Sequence, residues 1–405
     1  MTRPLALALV VAAATPALAL AEDAPAEITA DQAIALYRTH SPRLAVGRAG
    51  IGVAETDLIG ARIYPNPTLS VSGSSTVTGT PTSGETQTFV SVEVPLLLGH
   101  QRARRERAAE AGIALARAGL AADQAEAEHE IRGLFAALQA AQTKTQLLVA
   151  AVADVQVVRG IVAGRTSAGA ASPYELERID LAVATMTSQL GEARTDEALA
   201  SRALARAVGI PSWQPKASGD LTPGAASTTT AIDPAHPALA AARADGVAAR
   251  ADEDRARADG VPVPSFSVQS YATSGPFGMA ITGGLSIPLP LFDRNQGAVA
   301  KARAEQTRAA LELAAREHEL GADLERARGE LAARQEVLAA FDTGALSRLT
   351  RMRTMAETAY RNGQGGIVEL LDAVESITEA RLRHVELIRA VVDAELAVRA
   401  ASKGD

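Results

Sequence analysis

Cysteine does not occur anywhere in the 405-residue chain. That excludes a disulfide framework, a thiolate metal site, a cysteine nucleophile and a lipidated cysteine at a processed N-terminus. Aromatic residues make up only 3% although hydrophobic residues reach 47%. Much of the apolar count is alanine, the best helix former, whose small side chain lets helix backbones approach closely. Such a composition favours long, tightly packed helices over a bulky globular core. Positive charge is also short: the net charge of −7 argues against a nucleic-acid partner, which would need a basic face to neutralise phosphates. Long apolar runs are missing after the first residues. The best candidate, Leu147 to Ala153, falls well below the ~20 residues of a spanning helix. If the product enters a membrane, the expectation is therefore β-strands. Sequence signatures of catalysis are absent too, with no P-loop, HExxH or nucleophile elbow, so no enzyme and no cofactor is expected.

What is present begins with a leader. Arg3 provides a positive start, Leu5 to Leu18 an apolar stretch, and Ala17-Leu18-Ala19 or Ala19-Leu20-Ala21 a small-residue cleavage site, the three parts of a secretory signal. Residues 1–21 are read as a signal peptide.

The rest is a duplication. Ser41-Pro42-Arg43-Leu44-Ala45 returns as His236-Pro237-Ala238-Leu239-Ala240, and Pro65-Asn66-Pro67-Thr68-Leu69-Ser70-Val71 as Pro262-Val263-Pro264-Ser265-Phe266-Ser267-Val268. Val92-Glu93-Val94-Pro95-Leu96 returns as Leu285-Ser286-Ile287-Pro288-Leu289, and Arg165 to Leu176 resembles Arg361 to Leu370. The order is kept and the offset stays near 195 residues. The repeats are placed at 22–208 and 234–405, joined by a Pro-, Gly-, Ser- and Thr-rich linker at 209–233 with little regular structure expected.

Each repeat reads helix, strand, strand, long helix, helix. The first helix is expected from about Ala30 to Arg62, with its counterpart from Pro237 to Ala258. Pro65 and Pro67, then Pro262 and Pro264, stop those helices and start extended chain. Strands are expected at about 68–78 and 86–95 and again at 265–273 and 278–288. Leu69, Val71 and Val77 oppose Ser70, Ser72, Ser74 and Thr76. Val90, Val92 and Val94 oppose Gln87, Ser91 and Glu93. Phe277, Met279, Ile281, Leu285 and Ile287 oppose Ala280, Thr282, Gly284 and Ser286. A period of two with one apolar side suits a strand between water and either lipid or a protein core. The turns fall around Gly79 to Gly84 and Ser274 to Gly278.

Long helical hairpins follow at about 100–208 and 294–401. Their first arms, Gln101 to about Val162 and Asn295 to about Tyr360, contain no proline and would extend roughly 90 Å at ~1.5 Å per residue. Their narrow alanine and leucine stripe suits packing on neighbouring helices. Four strands per chain cannot close a barrel, and a lipid-exposed strand edge leaves backbone groups unpaired. Closure needs more copies.

Pro65-Asn66-Pro67, the strand end Val94-Pro95-Leu96, Ile287 to Gly297, and Tyr360, Gly363 and Ile367 to Ala373 together resemble the TolC family of outer-membrane efflux proteins over the whole mature chain. The run from Pro288 to Gly297, with Pro290 at its centre, looks most like the cobalt–zinc–cadmium efflux branch. The resemblance implies a mainly α protein with a transmembrane β part. Its expected form is a homotrimer with a twelve-stranded barrel in the outer-membrane lipid and an α-helical barrel in the periplasm. It implies a passive exit duct, with heavy-metal cations as one cargo, that works with a periplasmic adaptor and an inner-membrane RND-type pump. A drug or type I secretion duct of the same fold is the alternative. A soluble periplasmic coiled-coil scaffold is the rival from another class, but it predicts one helical hairpin rather than two.

By the same resemblance Glu369, Asp372 and Glu175 line the periplasmic entrance and Tyr360 helps to hold it shut. Glu369 and Asp372 stand three apart at a helix start and share a face, so threefold symmetry would stack them into carboxylate rings that concentrate cations. First-turn carboxylates that complement the helix dipole are the plain alternative. Gly365 stands where many members carry a latching arginine. Glu128-His129-Glu130 and Glu317-His318-Glu319 invite a metal reading, but neighbouring helix positions point about 100° apart and cannot converge on one ion; a solvated face is expected. Arg102, Arg104, Arg105 and Arg107 read as a charged helix start or as a basic collar beside the inner lipid leaflet.

Overall fold

The computed structural model describes residues 24–75, 86–224, 231–273 and 278–404. The leader, Val77, Phe277 and most of both expected strand turns lie outside them. The elements run β1 (Glu27–Ile28), α1 (Ala30–His40), α2 (Pro42–Arg62), β2 (Thr68–Ser75), β3 (Thr86–Pro95), α3 (Gln101–Ser167), α4 (Pro173–Val208) and β4 (Lys216–Ala217). The second repeat supplies α5 (Pro237–Asp259), β5 (Ser265–Thr273), β6 (Met279–Ser286), α6 (Gln296–Phe341), a π-helical turn at Asp342–Leu346, α7 (Ser347–Arg361) and α8 (Ile367–Ser402).

Backbone devices recur at the repeat spacing. His100 and Asn295 both take left-handed φ angles, 57° and 61°, just before a long helix. In each case the next residue, Gln101 or Gln296, uses its side-chain oxygen to accept the N–H two positions back, from Gly99 or Arg294. At the far ends Gly209 (φ 95°) and Gly404 (φ 78°) close α4 and α8 in the left-handed region that glycine alone tolerates without penalty. Each is seated on its own repeat's Xaa-Pro step. A Cβ would come within 2.9 Å of the His40 carbonyl at Gly209 and 2.6 Å of Pro237 at Gly404.

The strands form one antiparallel sheet in the order β2-β3-β5-β6. The register carries the alternation straight across it. Leu69, Val92 and Val268 share one row, and Val94, Phe266 and Leu285 another. One face is mostly apolar and exposed, interrupted by Thr88 and Ser270, whereas Ser70, Ser91 and Gln269 make a row on the opposite face. The exceptions on that polar face are Phe89 and Tyr271, directly paired with ring centroids 6.0 Å apart. Strands β2 and β6 each have one unpaired edge among the described residues.

The chain divides into two compact units that cut across the repeats. One gathers Met1–Pro42, Glu130–Pro223 and Gln335–Asp393; the other gathers Arg43–His129, Gly224–Arg334 and Ala394–Asp405. The sheet belongs wholly to the second, and the hairpin tips to the first.

Several expectations need correction. The first helix is two, because Pro42 cannot continue α1 and pushes Ser41 into extended geometry (ψ 120°). The supposed linker is partly structured: β4 pairs in parallel with β1, Trp213 is buried and donates to the Pro25 carbonyl at 2.9 Å, and Ile210 and Leu221 are buried as well. Average composition hid these few apolar anchors. The second long helix is interrupted by the π-helical turn, where the Asp342 carboxylate meets His384 at 2.9 Å. Helix α3 does contain an 18-residue stretch long and apolar enough to cross a membrane by length and composition, a third of it buried within the protein. Its alanines lift the average without forming a bulky apolar run, and Leu148, Ala151, Val152 and Val155 pack into a core. Glu128 is buried and accepts from Gln124 at 2.7 Å, so that position is no solvated face.

Candidate functional site

The tips of the two hairpins rest on one apolar cluster. Val155 and Val162 of α3, Ile179 and Ala182 of α4, Tyr360 of α7 and Ile367, Leu370 and Leu371 of α8 are buried together. In α8 the buried positions 367, 370 and 371 define an inward stripe of helical period. Glu369 and Asp372 fall on the other side and are exposed; Glu375 and Glu379 continue that exposed line.

Local rules explain how each tip turns. In the first, Ser172 caps α4, Pro173 takes the first helical position, and Glu175 completes a capping box by accepting the Ser172 N–H. In the second, Gly366 stands in place of Ser172 and Glu369 accepts its N–H at 2.9 Å. Both acids thus satisfy helix-start donors that would otherwise lack a partner. The preceding helices end alike, on Gly169 and Gly363 with φ 70°. Gly169 donates to Thr166 and Gly363 to Tyr360, while Ala170 reaches Arg165 and Gln364 reaches Ala359. This aligns Arg165 with Ala359 rather than with Arg361, as the sequence match had it.

Of the expected entrance residues, the structure joins Tyr360 to Glu175 and leaves Glu369 and Asp372 outside that pair. The buried Tyr360 hydroxyl donates to the Glu175 carboxylate at 3.3 Å. A residue that sequence reasoning missed completes the group. The Arg165 guanidinium lies 4.8 Å from the centroid of the Tyr360 ring, donates to the Tyr360 carbonyl at 3.2 Å and donates to the Ala170 carbonyl at 3.3 Å. It combines a cation–π contact with charge-assisted hydrogen bonds. Burial pushes the Tyr360 pKa above its ordinary value, the Glu175 charge pushes it further, and Arg165 opposes both. A Cβ at Gly365 would press on Ala359 at 3.4 Å. No local spacing could have linked Arg165 to Tyr360, because their meeting requires two separate hairpins to fold together.

The remaining motifs sit at the sheet. Pro65 and Pro67 lie between α2 and β2, Pro95 ends β3, and Pro288 and Pro290 follow β6. The arginine run at the start of α3 is mostly engaged locally: Arg104 pairs with Asp254 at 2.6 Å, Arg105 with Asp259 at 2.8 Å, and Arg102 lies over the Tyr64 ring at 5.2 Å. No group of three or more metal-ligating side chains occurs among the described residues.

Comparison with known proteins reaches the same architecture. The chain is 26% identical over 384 residues to the cobalt-zinc-cadmium resistance protein CzcC of Cupriavidus metallidurans, covering 90% of this chain and 88% of that protein. It is 30% identical over 381 residues to Protein CyaE of Bordetella pertussis, covering 87% and 79%. Among solved structures, CusC matches with a TM-score of 0.73 at 17% identity, covering 93% of this chain and 92% of that one. The outer membrane protein VceC of Vibrio cholerae matches with 0.73 at 18% identity, covering 92% and 96%. A model of the family "Outer membrane efflux protein" matches residues 33–210 and 234–402, both repeats in turn. The chain belongs to the outer membrane efflux protein family, and it is a channel, an efflux duct of the outer membrane with a periplasmic helical extension.

Proposed function

We propose that three copies of this chain join their sheets into a twelve-stranded barrel, and that the duct so formed discharges heavy-metal cations delivered by an inner-membrane RND-type pump through a periplasmic adaptor. The observation that carries the assembly is the sheet itself: β2 and β6 end in unpaired edges, while one face is mostly apolar, with Thr88 and Ser270 as its polar interruptions. An open edge in hydrocarbon leaves each N–H and C=O unpaired at a cost of several kcal/mol. Edge-to-edge closure removes that cost. The name of the relative CzcC supports the cargo, and the exposed acidic line Glu369, Asp372, Glu375 and Glu379 on α8 suits a cation path.

At the entrance, Glu369 and Asp372 gather cations, while Tyr360, Glu175 and Arg165 tie the two hairpins of one chain to each other. Opening requires that tie to yield. Planar-bilayer recording of the detergent-extracted protein tests the reading. A native mass of three chains, and a cation preference with block by zinc that weakens several-fold in Glu369→Gln/Asp372→Asn, are expected. A monomer that stays in solution without detergent would sink the assembly; unchanged selectivity in the double variant would sink the entrance.

A further inference from the structure

We infer that the segment Ile287–Phe292 is a membrane-interface anchor that seats the barrel in the phospholipid leaflet facing the periplasm. The last paired row of β5 and β6 is Ser265 with Ser286, yet the apolar surface does not stop there. Leu285 (63% exposed) belongs to the apolar sheet face, and beyond it Ile287 is 53%, Leu289 74%, Leu291 68% and Phe292 91% exposed. Single exposed apolar side chains are ordinary on soluble surfaces. Four within six residues, continuous with a lipid-facing sheet, form a patch that needs a non-aqueous neighbour.

The backbone of this stretch is prepared for such a neighbour. Pro288 and Pro290 have no N–H to desolvate. The Leu291 N–H donates to the Leu289 carbonyl at 2.8 Å. The Pro290 carbonyl accepts from the Arg294 side chain at 3.2 Å, and the Phe292 carbonyl from the Gln296 side chain at 3.0 Å. The Leu291 N–H and the Leu289, Pro290 and Phe292 carbonyls are thus paired while the hydrophobic side chains are exposed. That pairing lowers the cost of placing this stretch at the edge of hydrocarbon. Arg294 follows after Asp293, whose carboxylate accepts the Asn295 N–H. Arg294 is exposed and its Nε donates to the Pro290 carbonyl, so its remaining donors suit a lipid phosphate. An aromatic ring next to a cation at the edge of an apolar band is the usual composition of a membrane–water boundary. Helix α6 starts at Gln296, which puts the anchor on the helical, periplasmic side of the sheet.

The first repeat lacks the device. Leu96 and Leu97 are half-buried there, Leu98 alone is fully exposed, and leucine replaces the second proline. One anchor per chain is therefore expected.

Phe292→Trp, reconstituted in phosphatidylethanolamine–phosphatidylglycerol vesicles, tests this, with the unchanged protein as baseline because Trp213 is the single native tryptophan. Lipids brominated near the top of the acyl chain should lower the added emission about twofold, and aqueous iodide should leave it nearly intact. Quenching by iodide but not by brominated lipid would place the segment in water and overturn the anchor. Resistance to both quenchers would place it against a neighbouring chain and overturn it equally. Leu291→Trp repeats the measurement should the first variant fail to insert.

Discussion

The two repeats share a backbone plan and differ in what their side chains do at the tip. Positions that set chain direction are duplicated: His100 with Asn295, Gly209 with Gly404, Gly169 with Gly363. Positions that hold the tips together are not. Thr166 and Tyr360 stand at equivalent places, but only the tyrosine reaches into the shared cluster and binds Glu175. Arg165 reaches from the first repeat, whereas its structural counterpart Ala359 has nothing to reach with. The long arms differ as well, unbroken in α3 and interrupted by the π-helical turn in the second repeat. Duplication preserved the turns, and divergence produced a reciprocal tie.

The largest effect should come from emptying the clasp. Tyr360→Ala removes a large side chain that is 3% exposed, and buried aromatic truncations cost about 3–5 kcal/mol. Hydrogen exchange should show the tip helices losing protection while the sheet keeps its own. Equal loss in both regions would mean that the tip is not a separate cooperative element.

A smaller contrast separates two glycines that the sequence treats alike. Gly363→Ala meets open space and pays only for a left-handed φ, about 1 kcal/mol. Gly209→Ala meets the same restriction and also drives a Cβ against the His40 carbonyl, so roughly twice the loss or more is expected in denaturant unfolding. Equal costs would show that the seat on Ser41-Pro42 relaxes easily.

The smallest effect at neutral pH is that of Tyr360→Phe, which keeps the ring and gives up one hydrogen bond. Its value lies in alkali. The Tyr360 pKa is raised in the fold by burial and by Glu175, so the fold favours the neutral phenol. That stabilisation is complete below the ordinary tyrosine pKa of ~10 and is lost as pH climbs through the higher folded value. Protease nicking at the tips should therefore rise above about pH 10 in the unchanged protein, and the phenylalanine variant should not show the rise. Parallel curves for both would mean that another group governs alkaline opening.

How far the sequence could be read follows from the range of each interaction. Alternation of valine with serine located the strands because side chains change face every residue in any sheet. The same alternation could not reveal that Leu69, Val92 and Val268 form one row, since register belongs to the pairing. Pro65, Pro67 and Pro95 mark element ends through their missing N–H, whereas Pro42 gives no such signal because the helical pattern resumes directly beyond it. Trp213, Ile210 and Leu221 were lost within a loop-like composition, although each is buried. Glu175 and Glu369 were visible as first-turn acids; their capping bonds follow from that local placement, whereas the bond from Tyr360 does not.

Read along the chain, the residues reveal the duplication, the alternation of long helices with short amphipathic strands and the first-turn acids at the hairpin tips. The elements and tips depend on residues within a few places of one another, and the duplication on such local stretches returning at an offset near 195 residues. The four-strand order with its two open edges, the division into units that cut across the repeats, and the clasp of Arg165, Tyr360 and Glu175 exist only once the chain has folded. Those features join groups more than a hundred residues apart, and no periodicity along the chain encodes which distant partner will be within a few ångströms once apolar faces have been buried.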